Sequence, residues 1–240
     1  MKTWFPLTNY DFYAYLSSGI ILIASVDYVF TDAVLVNRAE WTVVQAAFWT
    51  VIAYLSGQLV AAPSSLLIEH LIARKLFRPP ASVILGLTQP RLRERVIASL
   101  FANREYRPFA GAIRESIISK ASSAVSASSA HPIDAEMVFE IAFPLARTNS
   151  DTVNRLDTFI NNYGFARNLC LVFTLAFLLL TYQYFTKSTQ YTAWLALGAF
   201  IMAIGMYGRF IKFYASYSRE VFRTYNSLSN QLPAASERRT

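Results

Sequence analysis

Four stretches of this chain are nearly free of charge and about as long as a helix needs to cross the roughly 30 Å hydrocarbon core of a bilayer, about 20 residues. They run from Phe12 to Thr31, with Asp27 as the single charge, from Trp41 to Ala62, from Leu169 to Phe185 and from Tyr191 to Tyr207. Hydrocarbon offers no hydrogen bonds to a bare backbone, so segments of this kind satisfy their peptide groups internally and fold as helices. A buried helix of a soluble protein would instead show a polar face. Only 15% of the residues are charged and 54% are hydrophobic, against about 25% charged in a typical soluble domain. The sequence therefore predicts an all-α, polytopic membrane protein with four transmembrane helices.

The stretches pair into two hairpins, because the segments between their members, about 32–40 and 186–190, are short. Trp41, Tyr182, Tyr184, Tyr191 and Trp194 fall near those connections, where amphipathic rings favour the headgroup level. Lysine and arginine are distributed very unevenly. Residues 63–168 carry 13 and the segment after Gly208 carries six, while the two short connections contribute only Arg38 and Lys187. Basic residues are retained on the cytoplasmic side, which predicts an inner (plasma) membrane location with both termini cytoplasmic. The first stretch lacks a small-x-small cleavage pattern and reads as a retained span. The expected organisation is a first hairpin (1–62), a cytoplasmic helical domain (63–168), a second hairpin (169–208) and a cytoplasmic amphipathic helix with a tail (209–240).

Within 63–168, helices are expected over Ser65–Phe77, ended by Pro79 and Pro80, and at about Pro90–Asn103, Ala110–Lys120 and Asp134–Ala146. The run Ala121–Ala130 holds only Ala, Ser and one Val, and reads as a link or a small-residue helix end. Ser150 is the expected cap of a helix that continues through Gly164 into the third span. Beyond the fourth span, Tyr207, Phe210, Tyr214, Tyr217 and Val221 recur at intervals of three and four. That spacing gives an aromatic seam on a long helix, which needs a partner; helices leaving spans two and three are the expected ones.

Candidate functional residues follow from the same layout. Asp27, Gln45 and Gln183 lie at similar depth near one end of the spans and form a candidate polar pathway. Ala53, Gly57 and Ala61, and likewise Ala199 and Ala203, recur every four residues, a spacing that lets helix backbones approach closely in lipid. Arg74, Lys75, Arg78, Arg209 and Lys212 sit where they can meet anionic headgroups, at about 1 kcal/mol each. Arg91, Arg93 and Arg95 read as a solvated helix face, which disfavours a nucleic-acid partner.

A single cysteine, Cys170, and two histidines, His70 and His131, leave no disulfide framework and no expected metal site or cofactor. No metalloprotease, nucleophile-elbow or phosphate-loop motif is present. The expected function is a non-enzymatic membrane sensor, effector or scaffold that couples the cytoplasmic helices to the bilayer, comparable in architecture alone to permeability-altering proteins of prokaryotic defence. An oligomeric channel is the alternative, and a lipid-acting membrane enzyme the next. Expected partners are the lipid bilayer, a second copy of the chain and a soluble cytoplasmic protein.

Overall fold

The computed structural model describes residues 9–76, 80–89, 95, 105–125 and 134–229. Every regular element among them is helical. In chain order, α1 is Asn9–Phe30 and α2 is Val43–Ser64, continued by a π-helical segment, Ser65–Leu76. Next come α3 (Pro80–Ile84), α4 (Gly111–Val125), α5 (Ala135–Ala146), α6 (Ser150–Lys187) and α7 (Gln190–Ser229). Four helices, over Tyr13–Phe30, Val43–His70, Ser150–Lys187 and Gln190–Leu228, are long and apolar enough to cross a membrane.

Local chemistry accounts for the helix ends. Thr42 and Gln45 cap α2 reciprocally: the Gln45 amide donates to the Thr42 hydroxyl at 3.3 Å, and the Thr42 amide donates to the Gln45 side chain at 3.2 Å. Two donors that the first turn leaves bare are thereby satisfied. Asp134 caps α5 by accepting from the Met137 amide at 2.7 Å. At α6 the cap is Asn149, which accepts from the Thr152 amide at 3.1 Å, and the expected cap Ser150 is already inside the helix. Pro63 lies inside α2, where it donates no N–H and crowds the preceding turn. The wider π turn follows two residues later, so the expected helix over Ser65–Phe77 is π-helical as far as Leu76. The small-residue run continues α4 as far as Val125. The expected helix at Pro90–Asn103 lies outside the described residues apart from Arg95.

The chain divides into two compact units. Unit one comprises Met1–Leu76 and Tyr163–Phe210. Within it α1 and α2 run in opposite directions and touch backbone to backbone. A Cβ added at Gly19 would overlap the Ala53 carbonyl, and one added at Gly57 would overlap that of Tyr15. Tyr15 and Tyr54 meet edge to face at 6.0 Å beside this crossing. Farther along α1, Val29 packs with Leu180 and Ala196, while Phe177 meets Phe200 at 5.2 Å. The outer surface of this unit is apolar: Val43, Leu59, Phe185 and Trp194 each expose well over half of their area.

Unit two comprises Phe77–Asn162 and Ile211–Thr240, and is organised on the second half of α7. Phe139 of α5 contacts both Tyr217 and Phe222, at 5.9 and 6.0 Å, and Phe143 stacks on Phe139 at 5.7 Å. Arg219 lies over the Phe109 ring at 4.6 Å and donates to the carbonyls of Glu105 and Arg107. Lys120 and Ser116 of α4 reach Asn226 at 3.0 and 2.9 Å. Thr152 and Thr224 share a buried hydroxyl contact at 3.2 Å.

The α1–α2 crossing gives a direct prediction. Gly19→Ala and Gly57→Ala are expected to destabilise the protein in detergent by about 1–3 kcal/mol, since neither backbone can retreat without losing the contact. Gly198→Ala and Gly205→Ala, where a Cβ meets nothing within 4 Å, are expected to be neutral or to stabilise by about 0.5–1 kcal/mol through reduced backbone entropy. Unfolding of the four variants in mixed micelles reads the difference.

Candidate functional site

In unit one, polar side chains gather at two levels of an otherwise apolar bundle. The first lies beside the connections that follow α1 and α6. The chain leaves α1 through Asp32 and Ala33, whose φ angles of 55° and 63° are left-handed, a region that strains residues bearing a Cβ. The Asp27 carboxylate holds this reversal. It accepts from the Leu35 amide at 2.9 Å and the Val36 amide at 3.0 Å, and from the Thr31 hydroxyl. Although Asp27 is only 4% exposed, its charge is met by charge-assisted hydrogen bonds from its own loop.

Next to it, Gln183 of α6 donates to the Tyr28 carbonyl at 3.1 Å. The Tyr28 hydroxyl lies 3.3 Å from that of Thr192, which is 2.9 Å from that of Thr189. Lys187 pairs with Asp32 above this layer. The Gln183 side-chain oxygen is buried and has no hydrogen-bond partner. These contacts tie α1 to both α6 and α7 immediately beyond the apolar packing of Val29, Leu180 and Ala196.

The second level lies at the far end of α2. Ser64 donates to the Asn168 side chain at 2.6 Å, and both residues are fully buried. One turn on, Arg167 and Glu69 form an ion pair at 3.0 Å, with only 16% and 15% of their side chains exposed. The Arg167 guanidinium lies 5.5 Å from the centre of the Tyr163 ring, which in turn packs on Phe210 at 5.1 Å. The π-helical segment, α6 and α7 are thus joined by one run of contacts. A pair this well covered holds its geometry because removing either partner strands a charge.

The residues singled out from sequence are distributed as follows. Asp27 and Gln183 belong to the first level, whereas Gln45 caps α2. Ala53 and Gly57 face α1, Ala61 is half-buried, Ala199 packs on the Val29 cluster and Ala203 is buried. In the seam, Phe210 and Val221 are buried, and Tyr207, Tyr214 and Tyr217 are half-buried. Its partners include Tyr163 of α6 in unit one, and Phe139 and Phe143 of α5 in unit two. Arg209 and Lys212 are exposed, while the side chains of Arg74, Lys75 and Arg78 lie outside the described residues.

Sequence reading missed the pairs Ser64–Asn168 and Glu69–Arg167. Each joins residues about a hundred positions apart, and no local pattern links them. Among the described residues, no group of three or more His, Cys, Asp and Glu could hold a metal ion. Apart from the Gln183 oxygen and the Arg167 Nε, which are buried without a hydrogen-bond partner, the polar groups of the two levels pair with one another and link the helices. Compared with protein families, curated proteins and solved structures, the chain matches none.

Replacing Asp27 tests its role in the loop. Asp27→Ala is expected to cost about 1–3 kcal/mol by removing the acceptor of two part-buried loop amides, and Asp27→Asn less. Adding Ala33→Gly to Asp27→Ala is expected to recover about 1 kcal/mol by relieving the left-handed strain. Thermal unfolding in detergent of the single and double variants measures both terms.

Proposed function

We propose that the chain is a multi-pass protein of the inner (plasma) membrane, its apolar helices crossing as two hairpins. On this reading both termini and unit two lie in the cytoplasm. Its function is that of a non-enzymatic sensor, effector or scaffold, in which an event at the cytoplasmic helices changes the membrane part and hence its permeability or its partners. The comparison with prokaryotic defence proteins is one of architecture alone.

One observation carries the proposal. α6 and α7, of 38 and 40 residues, extend about 57 and 60 Å at 1.5 Å per residue. Each contributes residues to both compact units. A continuous helix is the simplest element for carrying a displacement from a water-facing region into a bilayer. The asymmetric lysine and arginine distribution supports the orientation. An oligomeric channel lined by Asp27, Gln45 and Gln183 fits less well, because the Asp27 carboxylate is engaged by its own loop and Gln45 caps a helix.

Topology is tested with reporters. A cytoplasm-active reporter fused after Thr240 is expected to be active, and one inserted within residues 37–40 inactive; the reverse pattern would refute the orientation. Coupling is tested through Cys170, the only thiol, which is buried in unit one. Phe139→Ala is expected to weaken unit two by about 3 kcal/mol and to raise alkylation of Cys170 by a membrane-permeant maleimide. Three glycines inserted after Lys212 are expected to abolish that rise. An unchanged rise in the insertion variant would show that α7 does not carry the effect.

A further inference from the structure

We infer that the exposed face of α2 packs against α2 of a second copy of this chain, with the two Gln58 amides hydrogen-bonded to each other across a two-fold axis. The inference rests on the membrane reading proposed above and names the partner of one surface of unit one.

α2 carries two seams. Ala53, Gly57, Val60 and Ser64 are its buried residues, at intervals of four, three and four, and Ala53 and Gly57 face α1. A second series, Val44, Phe48, Val51, Leu55, Gln58 and Ala62, alternates steps of four and three, and every member is exposed. Such a series forms the contact stripe of a left-handed helix pair. From Val43 to Ile52 no residue of α2 is buried, so the first half of the helix has little cover from its own chain.

Exposed apolar residues alone would be satisfied by lipid; Gln58 would not. It lies roughly 9 Å along the axis from Ser64, the last residue of α2, which places it within the hydrocarbon on the membrane reading. Its amide does not reach toward that nearer end. It donates instead to the Tyr54 hydroxyl, one turn back, at 2.8 Å. The remaining amide hydrogen and the carbonyl oxygen face a medium that offers neither donor nor acceptor. A carboxamide is its own complement, because it donates and accepts at once.

Copies inserted by the same rule share one orientation, so their α2 helices are parallel and a two-fold axis brings each residue opposite itself. A single polar residue within an apolar seam fixes register and the number of strands. Gln58 occupies such a position here.

The test uses the full-length chain with Cys170→Ala, in native membranes. Oxidation is expected to give disulfide-linked dimers from Gln58→Cys and from Val51→Cys, and none from Leu197→Cys, which is exposed on α7. In detergent, Gln58→Leu is expected to weaken self-association about three- to tenfold. Tyr54→Phe, which removes the intrachain bond but keeps the amide, is expected to leave it unchanged. Self-association unaffected by Gln58→Leu, or equal cross-linking at Leu197→Cys, overturns the proposal. Membrane-embedded protein that stays monomeric sinks this seam alone, whereas a chain soluble without detergent sinks the membrane reading and the seam together.

Discussion

Side chains such as Val43, Leu59, Phe185 and Trp194 stand mostly uncovered on the four long helices, and everything else in unit one answers to the medium that this surface requires. Contiguous apolar exposure on that scale is rare on monomeric soluble proteins. In hydrocarbon it carries no penalty, but burial of apolar surface then no longer drives one helix against another. The helices must associate by close backbone approach and by polar contacts that lipid cannot supply. Gly19 and Gly57 provide the first at the α1–α2 crossing. Gln183 with Tyr28, Ser64 with Asn168 and Glu69 with Arg167 provide the second.

The placement of these polar groups is consistent with that requirement. Asp27, the one charge within the first apolar stretch, is nearly buried, and its oxygens take up donors from the loop that follows α1. A carboxylate left unpaired at this depth would be costly. Here it compensates for a chain reversal that passes through two left-handed residues. The strain and the charge are tolerable because each is answered locally. The same logic applies to Arg167, which meets Glu69 on one side and the face of Tyr163 on the other.

Much of this was legible in the residues, and the reasons are specific. The four long helices follow the apolar runs because a run of about 20 uncharged residues fixes its own secondary structure. The aromatic seam of α7 follows from 3.6-residue periodicity. Depth was a poorer guide for single polar residues. Gln45 sits three residues after Thr42, a spacing that signals a capping box, yet position along the span suggested grouping it with Asp27. Asn149 is as good a cap as its neighbour Ser150, and only the geometry separates them. The partners of Tyr217 include Phe139 and Phe143 on α5, a pairing between distant segments that periodicity cannot specify.

In unit two the second half of α7 is the common packing element. The second half of α7 supplies Phe222 and Tyr217 to the aromatic cluster, Arg219 to the segment around Phe109, and Thr224 and Asn226 to α6 and α4. Short helices are marginal by themselves, and α3, α4 and α5 run to only 5, 15 and 12 residues. Of these, α4 and α5 gain definition by packing against the second half of α7. A change that loosens those short helices therefore alters the surroundings of α7 itself.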